Sequence, residues 1–274
     1  MEIRKEAIIH SYDGVELYYQ QDVPSDPKAI VVIVHGLGEH SGRYDYVVKA
    51  LNSYGYGVFR FDNRGHGKSG GARGYLDDYF KFVDDANFIV DNAKEQFPDV
   101  PIFMLGHSMG GFITASYGVK YPKKLNGQIL SGPCIIELPI FEDLKTVDVE
   151  KNPLSPIENG LSHLVCRSQK VVDDYNNDPF NLKVFTLKLL TTVFHDGIQW
   201  LTSNVTNYHY PCLILHGEDD QIVPKNGSEY LYHNSPSNDK MLKVYPDLYH
   251  EILNEEIEKK EIMEEINSWI KKRI

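Results

Sequence analysis

Short apolar runs alternate along the chain with longer stretches in which apolar side chains recur every three or four positions. Residues 29–34 read Ala-Ile-Val-Val-Ile-Val, β-branched and apolar throughout, so both faces of that strand need cover. The same pattern recurs at 57–62, 102–105, 128–131 and 212–216, and Val244-Tyr245 suggests a sixth strand. Residues 8–20 predict two short strands around the turn Asp13-Gly14, because Val15, Leu17 and Tyr19 alternate with polar partners. Helical spacing lies between the strands. Residues 44–54 put Tyr46, Val47, Ala50 and Leu51 on one face, and 79–97 do so with Phe82, Val83, Ala86, Ile89, Val90 and Phe97. A third helix is predicted over 110–121, ended by Pro122. A last one covers 255–273, acidic at its start and basic at its end, which suits the helix dipole. Such alternation predicts an α/β chain with a mostly parallel sheet and helices on both faces. One interval breaks it. The stretch from Gly132 to Pro211 far exceeds the roughly 30 residues that one crossover needs. It ends in the apolar helical series Phe180, Val184, Phe185, Leu187, Leu190, Val193 and Phe194. An inserted helical cap over 134–205 is therefore expected, leaving 1–133 and 206–274 as the core; two ordinary crossover helices with a long loop are the competing reading.

Chemistry concentrates at the ends of the predicted strands. Gly106-His107-Ser108-Met109-Gly110 matches Gly-x-Ser-x-Gly between a buried strand and a helix. A serine on such a turn is held exposed, small neighbours make room for it, and the helix N-terminus offers free N–H groups to an oxyanion. A serine of this kind needs a base and the base an orienting acid, in the chain order serine, acid, histidine. The segment after the strand 212–216 offers Asp219 and Asp220, and Tyr249-His250-Glu251 falls between the last strand and the last helix. His209 and His233 are weaker rivals for the base, since they sit at a strand entry and in a helix. A second oxyanion donor is expected from His35-Gly36-Leu37-Gly38, which makes the amides of Leu37 and Met109 the pair. Residues 65–70 imitate Gly-x-Gly-x-x-Gly, but the acid a dinucleotide would need falls on an amphipathic helix. A phosphate loop fails as well, because its first glycine would have to replace Asp62. A structural turn is the better reading. No His-Glu-x-x-His or paired Cys-x-x-Cys occurs, so no metal and no cofactor are expected.

Composition narrows the partners. With 28 basic and 39 acidic residues the formal charge is −11, which argues against nucleic acid. It also argues against electrostatic docking on anionic lipid, though not against hydrophobic contact. Three cysteines, Cys134, Cys166 and Cys212, read as reduced thiols. The first residues carry no apolar run behind their charges, and no run approaches the ~18 residues of a membrane span, so a cytoplasmic protein is expected.

Taken together, four segments resemble a known family. His-Gly-Leu-Gly-Glu-His-Ser-Gly-Arg-Tyr (35–44), Asp-Asn-Arg-Gly-His-Gly-Lys-Ser (62–69), Gly-His-Ser-Met-Gly-Gly (106–111) and the late Gly-x-x-Asp and His are similar to the monoacylglycerol lipases and lysophospholipases of the α/β-hydrolase superfamily. The similarity reaches the cap at 166–168 and 173–179. It implies the α/β-hydrolase fold and selects Asp220, three residues after Gly217, over Asp219. It implies the triad Ser108, Asp220 and His250, and the oxyanion amides of Leu37 and Met109. It also implies that Arg43 and Tyr175 bound a polar glycerol pocket, while Val171 stands where the family has a glutamate. The expected activity is hydrolysis of a small lipid-like monoester, most directly monoacylglycerol, with lysophospholipase or short-chain esterase as alternatives. A non-catalytic binding protein on the same scaffold is the reading from another class. An apolar cap suits two uses, resting on a micelle or bilayer and plain packing against the core, and the sequence leaves both open.

Overall fold

The structure, a computed structural model, describes residues 3–274. In chain order the core opens with β1 (Ile3–His10), β2 (Glu16–Val23), β3 (Ala29–Val34), α1 (Asp45–Ser53), β4 (Tyr56–Phe61), α2 (Phe80–Gln96), β5 (Ile102–His107), α3 (Met109–Lys120) and β6 (Gly127–Ser131). The insertion then contributes β7 (Pro156–Glu158), α4 (Gln169–Asn177), β8 (Val184–Thr186), α5 (Leu187–Thr191) and α6 (Ile198–Asn204). The core resumes with β9 (Cys212–Gly217), α7 (Asn226–Asn234), β10 (Lys240–Tyr245) and α8 (Lys259–Lys271). Eight strands form one sheet in the order β1-β2-β4-β3-β5-β6-β9-β10. The hairpin β1–β2 joins β4 antiparallel, and every pair from β4 to β10 is parallel. This is the α/β-hydrolase fold, as the strand pattern and the resemblance both imply.

The all-apolar strands exist because the sheet is covered twice. In β3, Ile30, Val32 and Val34 face the core under α2 and α3, while Ala29, Val31 and Ile33 face the core under α1 and α8. Six parallel strands also bring their C-terminal ends to one edge, where ligand sites of open α/β sheets form. The loops after β3, β5, β9 and β10 carry Leu37, Ser108, Asp220 and His250 respectively.

The segment between β6 and β9 differs from a wholly helical cap. It begins with a 3₁₀ turn over Pro139–Thr146, carries the two-stranded ladder β7–β8, and joins α5 to α6 through a turn of π-helix at Thr192–Gly197. It is tied to the core by backbone: Leu182 N–H donates to Gly38 O at 2.8 Å, Thr186 N–H to Gly74 O at 2.9 Å, and Glu251 N–H to Val165 O at 2.7 Å. Two of these bonds end on the loops that carry Leu37 and His250.

Candidate active site

Ser108 sits between the last residue of β5 and the first of α3 with φ 56° and ψ −119°, a conformation that costs a non-glycine residue about 1–3 kcal/mol. The neighbours explain how the turn survives. A Cβ at Gly106 would stand 2.2 Å from Gly110 O, and one at Gly110 would stand 2.1 Å from Val34 O. Strand, turn and helix pass so closely that only hydrogen fits at either position. The turn is then pinned by Ser108 N–H donating to Ser131 O at 3.0 Å.

His250 lies on the loop before α8, packed over Gly132. Its Nδ1 donates to Asp220 Oδ2 at 2.6 Å, which leaves Nε2 free to accept a proton. Asp220 is buried, and its other oxygen accepts from the amides of Ile222 and Val223 at 2.9 Å each. Burial raises its pKa, but His250 and His216 outweigh that and hold the carboxyl well below the usual range. For His250 burial opposes the charge; Asp220, then Glu251 and Glu39, outweigh it and raise the imidazole above 6.5. His107 packs against His250 with the rings tilted and their centroids 4.6 Å apart, and it stays neutral, pushed down to about 4 by burial and by its charged neighbour.

Ser108, His250 and the Leu37 loop line one partly open cavity. Leu138, Phe141, Leu161, Val165 and Phe194 from the insertion give it apolar walls. Glu39, Asn159, Tyr175 and Glu251 give it a polar part, with Asn159 Nδ2 donating to the Tyr175 hydroxyl at 2.8 Å. Among the described residues neither Leu37 N–H nor Met109 N–H has a hydrogen-bond acceptor, so both donors are available to a ligand oxygen. The Ser108 hydroxyl has Cys134 Sγ at 3.9 Å as its neighbour in the cavity.

Of the residues expected from the sequence, Ser108, Asp220, His250, Leu37 and Tyr175 come together. Arg43 does not line this cavity. It lies behind Tyr175, whose ring is 4.8 Å from the guanidinium, and donates to Glu39 at 2.7 Å and to both oxygens of Glu251 at 2.6 and 2.8 Å. Val171 packs against the apolar core, and Asp174 is exposed and paired with Lys170, so neither supplies an acid to the cavity. Asp219 is not part of the His250 pair. The glycine-rich imitation at 65–70 is a turn held by Asp62, whose Oδ2 accepts from Lys68 N–H at 2.7 Å.

Sequence reasoning assigned no site role to Glu39, Asn159, Glu251, Cys134 or His216. Glu251 was in plain view beside His250, and its partner Arg43 is 208 residues away. Cys134 carried no pattern at all. His216 could have been found as the last inward residue but one of β9; its Nε2 donates to Val223 O at 2.8 Å and stands 3.2 Å from Asp220 Oδ2, bracing the acid's loop.

A strained serine at a helix start, a histidine–carboxylate pair on neighbouring strand ends, and an α/β-hydrolase sheet beneath them define the class, a serine hydrolase. Comparison with known proteins narrows it. Residues 25–257 match the family model described as serine aminopeptidase, S33. A monoacylglycerol lipase of Mycolicibacterium smegmatis is 36% identical across 97% of both chains. Monoglyceride lipase of Mus musculus is 35% identical across 96% of this chain and 89% of its own. The crystal structure of Paleococcus ferrophilus monoacylglycerol lipase superposes with a TM-score of 0.83 at 31% identity, over 94% of this chain and all of that one. The chain belongs to the monoacylglycerol lipase family of α/β-hydrolases and is a serine ester hydrolase.

Proposed function

We propose that this protein hydrolyses monoacylglycerol to fatty acid and glycerol. Ser108 attacks the ester carbonyl while His250 takes its proton; Asp220 holds the imidazole tautomer and stabilises the imidazolium. The tetrahedral oxyanion is bound by the amides of Leu37 and Met109, each worth about 3 kcal/mol. His250 protonates the leaving glycerol oxygen, and water then releases the fatty acid by the reverse use of the same base. Base catalysis contributes about 10²–10⁴-fold. The segment 134–205 acts as the lid that supplies the acyl walls.

The observation that carries this reading is the composition of the cavity around Ser108. Apolar walls from the insertion suit an acyl chain, each buried methylene adding about 0.8 kcal/mol. The Tyr175 hydroxyl accepts from Asn159 and keeps its own proton to donate to a neutral polyol. Glu39 and Glu251 are held by Arg43 behind it, and two carboxylates against one guanidinium leave a net charge of −1 that disfavours a phosphate. A second reading, a lysophospholipase or simple esterase, draws on Val171 and on Arg43, whose guanidinium is already spent on two acids.

The test is fatty acid release from monoolein and from lysophosphatidylcholine in parallel, with Ser108→Ala as the blank. Preference for monoolein supports the proposal, and preference for the phospholipid replaces it. The insertion also exposes Ile140, Val147 and Leu154, and we propose that this rim rests on lipid during catalysis. Vesicle flotation checks it: absence of lipid association with full activity on dispersed ester would sink the docking idea.

A further inference from the structure

We propose that Arg43 is a positioning residue, the centre of a buried clamp that holds the oxyanion loop against the histidine loop. This rests on the serine-hydrolase mechanism proposed above and adds a part that the triad does not contain. Arg43 Nη1 donates to Glu39 Oε2 at 2.7 Å and to Glu251 Oε1 at 2.6 Å, and Nη2 donates to Glu251 Oε2 at 2.8 Å. The three side chains are 10, 4 and 5% exposed for Arg43, Glu39 and Glu251, so little solvent screens them.

Each acid reaches further. Glu39 Oε1 accepts from Gly36 N–H at 2.6 Å and from the Tyr44 hydroxyl at 2.7 Å. Gly36 immediately precedes Leu37, whose amide has no acceptor among the described residues, and a Cβ on Gly36 would lie 3.1 Å from Ser108 Cβ. Glu251 follows His250 directly; it also accepts from Asn254 Nδ2 at 2.8 Å and its amide donates to the insertion at Val165 O. One guanidinium thus joins the loop after β3 to the loop before α8, with the Tyr175 ring of α4 laid against it. Removing the cation leaves two buried carboxylates facing each other, and their repulsion parts the loops. The position of the oxyanion donor relative to the base is what such a parting disturbs.

Discrimination from a head-group ligand is direct. A residue that binds glycerol matters only for substrates with glycerol, whereas a clamp matters for every ester. The experiment compares the wild type with Arg43→Lys and Glu251→Gln on monoolein and on p-nitrophenyl butyrate, which has no diol. Arg43→Lys keeps the charge but loses the fork that reaches both acids. Both variants are expected to lose kcat by the same factor on both esters, about 10- to 100-fold, with KM for the aryl ester unchanged. The groups facing His250 are Asp220 after β9, His107 at the end of β5, Glu39 after β3 and its own neighbour Glu251. Loss of the Glu251 charge therefore moves the acidic limb of kcat/KM to lower pH, which a purely structural role would not do.

A loss confined to monoolein, a change in KM alone, or unaltered kcat in both variants overturns the clamp. If Arg43→Lys fails to fold by near-UV circular dichroism, the near-isosteric Glu251→Gln decides the question alone. A wild type that labels with a fluorophosphonate yet hydrolyses neither ester would overturn the proposed function instead. The labelling rates would then judge the clamp, equal rates in all three proteins counting against it.

Discussion

At the scale of single residues, the histidine carries the pH dependence. In the proposed mechanism His250 must be neutral to accept the Ser108 proton, and Asp220, with Glu251 and Glu39 behind it, raises its pKa above 6.5 against the effect of burial. The acidic limb of kcat/KM in the free enzyme is therefore expected above pH 6.5. Asp220→Asn removes the largest of those charges and leaves the amide unable to accept the Nδ1 proton in the same way. It should lower kcat by about 10⁴-fold and move the limb to lower pH. A stopped-flow pH profile on an aryl ester reads both, and an unmoved limb would mean that another group controls the titration. The neighbouring His107 does not compete for this role. It is neutral down to about pH 4, and its Nδ1 is within 3.0 Å of Ser131 O.

Between residue and molecule stand the elements, and here the strand–turn–helix around Ser108 sets the tolerance. Gly110→Ala would bring a methyl to 2.1 Å from Val34 O, a backbone atom that cannot rotate away. A stability loss of about 1–3 kcal/mol or more is expected, together with slower fluorophosphonate labelling as α3 backs off β3. Denaturant titration and a labelling time course check the two effects separately. Phe194, placed by the π-helical turn, meets Phe141 with ring centroids 5.0 Å apart. Beyond the two rings lies a second, partly open cavity, lined by Val147, Val149 and Leu190 among others. Phe194→Ala should raise the ratio of kcat/KM for an 18-carbon over an 8-carbon monoester, at a stability cost of about 3–5 kcal/mol. A constant ratio would show that the rings do not divide the acyl path.

The same elements show what a sequence exposes and what it hides. β3, β4 and β5 were legible because both faces are buried: β3 is apolar at every position, and β4 and β5 are apolar apart from Gly57, Arg60 and the Gly106-His107 end. β1 starts earlier than its pattern suggests, since an edge strand such as Ile3–His10 keeps one side in water and reads as polar. α8 begins at Lys259, four residues late, because the Glu255 carboxylate is drawn inward to Arg167 and the Tyr249 amide. Local motif and order single out Ser108 and His250, and the family resemblance selects Asp220 over Asp219; the structure brings the three together and pairs Asp220 with His250. The Glu39–Arg43–Glu251 arrangement was not readable, because only the spacing of Glu39 and Arg43 is local and the third member comes from the far end of the chain.

For the molecule as a whole, the buried ionisable groups predict how stability depends on acid. Burial lowers the pKa of His107 to about 4 and of His66 to about 3, so both fold as neutral imidazoles. A group whose pKa is depressed on folding stabilises fully above its unfolded value and loses that contribution as pH falls. For the two histidines the loss begins near 6.5 and runs towards 4 and 3 respectively. Burial raises Glu39, but Arg43, His107 and His35 outweigh it and bring the carboxyl to about 2, so its contribution declines from about 4.5 towards 2. Asp220 follows the same sign over the lower part of that range. His250 has the opposite sign: raised on folding, it stabilises below 6.5 and gives this up as pH rises, which offsets part of the histidine loss. The depressed groups, His35, His66, His107 and Asp220 besides Glu39, outnumber the raised His250 and Asp85, so the denaturant midpoint should hold near neutrality and fall steadily below about pH 6. Glu39→Gln should be less stable than the wild type at pH 7 and lose less between pH 5 and pH 3, because it no longer has a carboxylate to protonate. Parallel urea titrations of the two proteins across that range make the comparison, and equal slopes would mean that Glu39 does not bear the acid sensitivity.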